Sequence, residues 1–151
     1  MMSLWDALRM NMMISYQELV RTFPNGSYVG FVYLFQFEDN TSYIGSKQMY
    51  KRVKDIKKLK DNSVENGWRE YSSSSKIVNS KIEEGLNYTR TILWAFPSMK
   101  ETLFVETALI INEGLKTGNL NLAVMHKARL PSGKDAVRIR GILQSLYEIL
   151  N

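Results

Sequence analysis

Four side chains in this sequence have types and spacings that could support phosphodiester hydrolysis. Tyr33 and Tyr43 lie in two aromatic-rich runs, and Arg52 follows Tyr43 by nine residues. Glu106 lies inside the apolar stretch LFVETALII, where a carboxylate needs a partner, a path to solvent or a metal ion. A carboxylate-bound metal can activate water, and a guanidinium binds phosphate oxygens with its planar fork. A phenol, whose reference pKa is about 10, acts as a base only with help from a metal or a cation.

The two tyrosines belong to a predicted β-hairpin. The run YVGFVYLFQF, residues 28–37, is rich in aromatic and β-branched types, which favour a strand. Glu38-Asp39-Asn40 forms a polar turn, and TSYIG, residues 41–45, returns as the second strand. Tyr33 and Tyr43 should therefore come near each other across the strand pair.

Positive charge is concentrated directly after the hairpin. The chain has a net charge of +5, and seven basic residues against one acidic residue, Asp55, lie between positions 46 and 60. The sequence predicts a short basic helix over residues 46–60 that carries Arg52. Its apolar face would consist of Met49, Val53, Ile56 and Leu59. Such a patch suits a polyanion such as nucleic acid; the alternative is an ordinary solvated helix face.

A helix and a third strand follow the basic segment and a polar connection. Residues 72–86, SSSSKIVNSKIEEGL, predict a helix, because a serine can cap its start and Gly85 can end it. Residues 87–96, NYTRTILWAF, have the aromatic and β-branched composition of a strand, which Pro97 stops.

Two longer helices complete the predicted order. Ser98-Met99-Lys100-Glu101 is a capping box that opens a helix as far as about Leu115, and this helix carries Glu106. Residues 135–150 predict a final helix. Its apolar stripe would consist of Val137, Ile142, Leu146 and Ile149.

The order of these elements predicts an α+β fold with a small, mostly antiparallel three-stranded sheet flanked by helices. We divide the 151 residues into an N-terminal helical extension, 1–26, a central domain, 27–127, and a C-terminal helical extension, 128–151. The N-terminal segment has the three-four apolar spacing of an amphipathic helix. It would pack against the core, with a dimer contact or a DNA-binding arm as alternatives.

The composition excludes several kinds of site. The chain has no cysteine, which excludes disulfides and thiolate metal sites, and its single histidine, His126, excludes a multi-histidine zinc site. Any catalytic metal would be held mainly by oxygen ligands. His126 is expected to satisfy a local hydrogen bond in a loop. No apolar run approaches the roughly 18 residues of a membrane span, and the N-terminus lacks a signal-peptide core, so we expect a cytoplasmic protein without membrane contact.

Taken together, these motifs resemble those of the GIY-YIG nuclease superfamily. The first motif appears as Phe31-Val32-Tyr33, with Gly30 one place earlier than in the family, and the second as an intact Tyr43-Ile44-Gly45. The helical arginine of the family fits Arg52, at a spacing one residue shorter than usual. The resemblance covers roughly residues 28–123 and implies a GIY-YIG-like nuclease domain.

The resemblance implies a role for each candidate catalytic residue. Glu106 would hold Mg²⁺, with Mn²⁺ as a substitute, and Tyr33 would act as the general base or position it. Tyr43 would hydrogen-bond the scissile phosphate or the attacking water. Arg52 would stabilise the charge of the transition state, and Gly45 would keep the exit from the strand clear for the phosphate.

The resemblance also implies DNA as the partner. The nucleic-acid-binding residues would be Lys47, Lys51, Lys54, Arg69 and Asn121, the last of which fits a family asparagine. Lys47 and Arg69 are rivals to Arg52 for the essential cation. One turn after Arg52, where the family often has a histidine or tyrosine, the chain has Ile56, or Asp55 if the register shifts by one residue, so this helper residue is absent.

The stretches YIGSK and GWREYSSSS look most like phage-encoded members, including free-standing homing-type endonucleases. The resemblance thus implies a phage-encoded, metal-dependent DNA endonuclease that works in the cytoplasm of the host cell, alone or as a homodimer. The alternative is a catalytically inactive GIY-YIG fold that serves as a nucleic-acid-binding or protein-binding regulatory module.

Overall fold

A three-stranded antiparallel sheet forms the centre of the fold. The computed structural model describes residues 28–124 and 128–151, and its strands are β1 (Gly30–Phe37), β2 (Ser42–Gln48) and β3 (Tyr88–Phe96). Their order is β2-β1-β3, so β1 is the central strand. The hairpin of β1 and β2 closes at Asn40, whose φ of 64° is one that asparagine adopts more readily than most residues. The predicted α+β class, three-stranded sheet and hairpin are confirmed.

Within the described residues, three helices accompany the sheet: α1 (Lys76–Glu83), α2 (Met99–Glu113) and α3 (Gly133–Leu150). Ser75 caps α1 by accepting a hydrogen bond from the amide of Val78 at 3.3 Å, and Ser98 caps α2 through the amide of Glu101 at 3.2 Å. The predicted positions of these helices are confirmed to within a few residues. The predicted N-terminal helix and the predicted loop contact of His126 lie outside the described residues. None of the described helices has the length and hydropathy that a membrane crossing requires.

The two faces of the sheet have different partners. On one face, aromatic side chains of β1 pack against the segment that precedes α1, with the Phe31 ring 5.7 Å from the Trp68 ring. On the other face, α2 lies directly on β1 at Gly30, where a Cβ atom would be 2.7 Å from Thr102 Oγ1. A side chain at position 30 would therefore force side chains of α2, among them Thr102, to move.

The basic segment after β2 is not a helix, so this prediction is wrong. β2 continues to Gln48, the amide of Lys51 then hydrogen-bonds to the carbonyl of Val64 at 2.8 Å, and a 3-10 turn forms at Ile56–Lys58. Arg52 consequently lies in an exposed turn with a φ of 61° and not on a helix. The backbone in this segment pairs with a segment distant in sequence, and that pairing takes up amide groups that a helix would need.

The C-terminal helix α3 packs against α2 through Ile139, Ile142 and Leu146, which are buried. Val137 is 75% exposed, so its predicted place in the apolar stripe is wrong. The physical reason is the helical period, because Val137 lies about half a turn away from the buried face that the other three residues share. Arg138 forms an ion pair with Glu101 at the start of α2, which links the two helices.

Candidate functional site

Tyr33 and Tyr43 lie on the same face of the hairpin, and their ring centroids are 6.4 Å apart. The strand register places Tyr33 opposite Gly45 and Tyr43 opposite Phe35, and paired residues share a face. The predicted proximity of the two tyrosines is therefore confirmed. Gly45 allows the Tyr33 ring to lie across β2, because a Cβ atom at position 45 would be only 2.5 Å from Tyr33 Cζ.

The surroundings of both motif tyrosines favour the neutral phenol. Tyr33 is 1% exposed, and its hydroxyl donates a hydrogen bond to Ser73 Oγ at 3.3 Å. Burial raises the pKa of Tyr33 far above its ordinary value of 10.0. Burial also raises the pKa of Tyr43, hydrogen bonding with Ser73 lowers it, and the negative charge of Glu106 raises it again. At neutral pH neither tyrosine is a phenolate, so neither is a ready base.

A segment that sequence reasoning misses completes this site. The Tyr71 ring lies edge-on to the Tyr33 ring, with centroids 6.4 Å apart. Ser73 accepts the hydrogen bond from the Tyr33 hydroxyl, and hydrogen bonding with Ser73 and Ser74 lowers the pKa of Tyr43. Arg90 on β3 donates a hydrogen bond to the Tyr71 carbonyl, and burial lowers the pKa of Arg90 to about 10. The signal in the sequence is a tyrosine before four serines, which the sequence indicated as a helix start and as part of the phage-like stretch GWREYSSSS, but not as part of the site. We refer to Tyr33, Tyr43 and Tyr71 as the tyrosine cluster.

Glu106 is buried on α2, with 6% of its surface exposed. Ser46 of β2 donates a hydrogen bond from its Oγ to Glu106 Oε2 at 2.8 Å. The carboxylate is also close enough to Tyr43 for its charge to raise the pKa of that phenol. Because side chains alternate along β2, Ser46 and Glu106 lie on the face of the sheet that α2 covers, opposite the motif tyrosines, and the charge of Glu106 acts on Tyr43 across this edge strand. Ser46 directly follows the YIG motif and is a further residue that sequence reasoning misses.

Asn121 is bound to the outer edge of β2. Its Oδ1 accepts a hydrogen bond from the amide of Ile44 at 2.9 Å, and its Nδ2 donates to the carbonyl of Ile44 at 2.7 Å. The side chain thus takes the place of a residue in a neighbouring strand and covers this part of the edge. In the structure the Asn121 carboxamide has this structural role, and its contact with DNA stays a prediction.

Of the three candidates for the essential cation, Lys47 is the one in contact with the tyrosine cluster. Its Nζ atom lies 4.3 Å from the centre of the Tyr71 ring. Arg52 lies in the exposed turn beyond β2.

Arg69 has side-chain partners of its own. Its guanidinium donates two hydrogen bonds to Glu65, at 2.8 and 2.9 Å, and lies 4.5 Å from the centre of the Trp68 ring. Lys51 and Lys54, the other predicted DNA-binding cations, are exposed in the basic segment after β2. These two lysines are therefore accessible to a polyanion.

The donors around Glu106 fit a hard metal ion. Glu106 supplies a carboxylate and Ser46 a hydroxyl, and both are oxygen donors of the kind that Mg²⁺ and Mn²⁺ prefer. Across residues 28–124 and 128–151, no group of three or more His, Cys, Asp or Glu side chains could hold a metal ion. A single carboxylate is nevertheless sufficient for Mg²⁺, which usually completes its shell with water and substrate phosphate.

Comparison with protein families gives a match over residues 15–122, to the family described as "Putative endonuclease segE, GIY-YIG domain". The matched range covers more than half of the chain and includes the hairpin, Lys47, Tyr71, Glu106 and Asn121. The comparisons with curated proteins and with solved structures gave no match.

Proposed function

Because the chain belongs to the GIY-YIG endonuclease family, we propose that it is a metal-dependent endonuclease that hydrolyses phosphodiester bonds in DNA. The observation that carries this proposal is the position of Glu106. Its buried carboxylate lies 2.8 Å from the Ser46 hydroxyl and within electrostatic reach of Tyr43. A carboxylate in this place can bind a divalent ion beside groups that can hydrogen-bond a phosphate.

Glu106, with help from Ser46, would hold Mg²⁺, and Mn²⁺ would substitute for it. When bound, the ion supplies Lewis-acid stabilisation of the phosphate and an activated water. The hydrogen bond from Ser46 would orient the carboxylate toward β2, and the burial of Glu106 would limit competing solvent.

The two motif tyrosines would act as neutral hydrogen-bonding groups with different tasks. Tyr43 is half-buried, so its hydroxyl can donate to a phosphate oxygen or orient the attacking water. Tyr33 is 1% exposed and hydrogen-bonded to Ser73, so it would support the other tyrosines of the cluster from the protein interior. The burial of Tyr33 therefore supports a positioning role over a role as the general base.

DNA would bind through its phosphate backbone to the exposed lysines after β2, among them Lys51 and Lys54. Contacts of this kind position a duplex but carry no base preference. The resemblance of YIGSK and GWREYSSSS to phage-encoded members supports a phage origin and a homing-type role. One active site cuts one strand, so double-strand cleavage would need a homodimer or two successive cuts.

Supercoiled plasmid incubated with the purified protein and Mg²⁺ tests this proposal. The wild type should nick or linearise the plasmid, and EDTA or Glu106→Gln should abolish cleavage. Glu113→Gln is the matched control, because Glu113 is also a buried carboxylate on α2 but pairs with Lys116 at 2.5 Å. It should cut like the wild type.

Two outcomes of the same assay would contradict the proposal. Cleavage that survives Glu106→Gln would show that the metal site lies elsewhere. DNA that is retarded on a gel but never cut, with Mg²⁺ or with Mn²⁺, would favour the inactive binding module. The observation that favours this inactive module is the position of Arg52, which lies in an exposed turn outside the tyrosine cluster.

A further inference from the structure

We infer that Lys47 supplies the positive charge that the scissile phosphate needs, and that the ring of Tyr71 holds Lys47 in position. This inference rests on the proposed nuclease function and decides among the three cations that the sequence suggests. Lys47 would be a catalytic residue, because its ammonium would touch the phosphate. Tyr71 would be a positioning residue, because it would act only through Lys47.

Lys47 lies on the face of β2 that carries the motif tyrosine. Side chains alternate along a strand, so Tyr43, Gly45 and Lys47 share one face. The Lys47 Nζ atom is 4.3 Å from the centre of the Tyr71 ring, and that ring is 6.4 Å from the Tyr33 ring. The ammonium therefore lies at the rim of the tyrosine cluster.

The contact with Tyr71 orients the ammonium without neutralising it. A cation above an aromatic face is attracted by the ring quadrupole and keeps its full charge. Within residues 28–124 and 128–151, Lys47 has no carboxylate partner, and the Tyr71 ring is its side-chain contact. An ammonium in this state is a compact point charge that keeps its N–H donors for a phosphate oxygen.

The three nearby guanidinium groups are less suited to this role. The guanidinium of Arg69 donates hydrogen bonds of 2.8 and 2.9 Å to Glu65, so the carboxylate of Glu65 balances its positive charge. Arg52 follows the end of β2 in an exposed turn with a φ of 61°. Arg90 donates to the carbonyl of Tyr71 and so helps to keep the Tyr71 ring in place.

The step that Lys47 would assist is the attack of water on phosphorus. The water oxygen forms a bond to phosphorus and loses a proton to solvent. The bond from phosphorus to one sugar oxygen breaks, and that oxygen takes up a proton from solvent. Negative charge builds up on the phosphate oxygens during this exchange, and a preorganised ammonium beside them lowers the barrier. Lys47 itself neither gains nor loses a proton.

Steady-state nicking of supercoiled plasmid tests the role of Lys47. Lys47→Ala should lower kcat by about 100-fold or more, as expected when one charge-stabilising donor is removed. KM should change little, and Lys47→Arg should restore part of kcat. Lys81→Ala is the matched control, because Lys81 also lies over an aromatic ring, 5.7 Å from the centre of Phe37, but pairs with Asp39. It should leave kcat unchanged.

Two variants test the role of Tyr71. Tyr71→Phe keeps the aromatic face and should keep kcat, whereas Tyr71→Leu should lower kcat and add nothing to the loss in Lys47→Ala. An equal loss in Tyr71→Phe would assign the effect to the hydroxyl and overturn the positioning role. Circular dichroism and urea unfolding establish that each variant is folded, and Lys47→Gln replaces Lys47→Ala if the latter is not.

The outcomes separate this inference from the proposed function. If the wild type cuts, Glu106→Gln does not, and Lys47→Ala cuts as fast as the wild type, the inference fails and the proposed function stands. A loss of kcat in Arg52→Ala, with Lys47→Ala fully active, would give the role to Arg52. If the wild type cuts no DNA with Mg²⁺ or Mn²⁺, the proposed function fails and the inference fails with it.

Discussion

Adding one methyl group at Gly45 should disturb the tyrosine cluster. In Gly45→Ala the new Cβ would lie 2.5 Å from Tyr33 Cζ and 3.0 Å from Tyr33 Cε2. The Tyr33 ring has no free space to enter, because it is 1% exposed and packs edge-on against Phe35 and Tyr71. The ring or the strand must therefore shift, and the hydrogen bond from Tyr33 to Ser73 is the contact most directly at risk.

Three contributions set the size of this effect. Overpacking of a buried site costs about 1–3 kcal/mol, and the lost hydrogen bond adds about 0.5–1.5 kcal/mol. Alanine also lowers the conformational entropy of the unfolded chain, which offsets about 0.4–1 kcal/mol of this destabilisation. The free energy of unfolding should therefore fall by about 0.5–4 kcal/mol, which lowers Tm by roughly 1–16 °C for a domain of this size.

Urea unfolding followed by tryptophan fluorescence measures this loss. Gly141→Ala is the matched control, because a Cβ at Gly141 on α3 would meet nothing within 4 Å. Alanine there should raise the stability by about 0.5–1 kcal/mol, since glycine is a poor helix former. A Gly45→Ala variant as stable as the wild type would refute the close packing of Tyr33 across β2.

Two further predictions concern alkaline pH and the edge of β2. The pKa values of Tyr33 and Tyr43 in the folded protein lie above the unfolded value of 10.0. The free energy of unfolding therefore keeps its full contribution from the two buried phenols below that pH and declines above it, because the phenols ionise first in the unfolded chain. Urea unfolding from pH 8 to about 11 should show this decline, Tyr33→Phe should make it shallower, and an unchanged slope would contradict the burial of the phenol. Asn121→Ala should lower the free energy of unfolding by about 1–3 kcal/mol, because the amide and the carbonyl of Ile44 would lose their partner. Leu122→Ala, at a neighbouring position that is 86% exposed, should unfold like the wild type, and equal stability of the two variants would argue against the strand-like role of Asn121.

The hairpin, the third strand and the helix starts could be predicted from the sequence because their signals are local. Aromatic and β-branched runs, the polar turn at Asn40 and the caps Ser75 and Ser98 act over a few neighbouring residues. Glu106 could be singled out for a similar reason, since a carboxylate in an apolar helical run is conspicuous without any knowledge of its surroundings.

The contacts that make these residues into a site were decided only by the tertiary structure. Ser46 and Glu106 are 60 residues apart in the chain, and Tyr33 and Ser73 are 40 apart, so no local pattern could reveal either hydrogen bond. The sequence pattern alone also could not indicate which of the candidate cations, Lys47, Arg52 or Arg69, contacts the tyrosine cluster.

That choice depends on the path of the chain after the hairpin. Lys47 lies against Tyr71 because β2 runs on to Gln48, and Arg52 lies in a turn because the following backbone pairs with residues 64–66. Hydrogen bonds to segments distant in sequence satisfied the backbone there, and they outweighed the local apolar spacing that had suggested a helix.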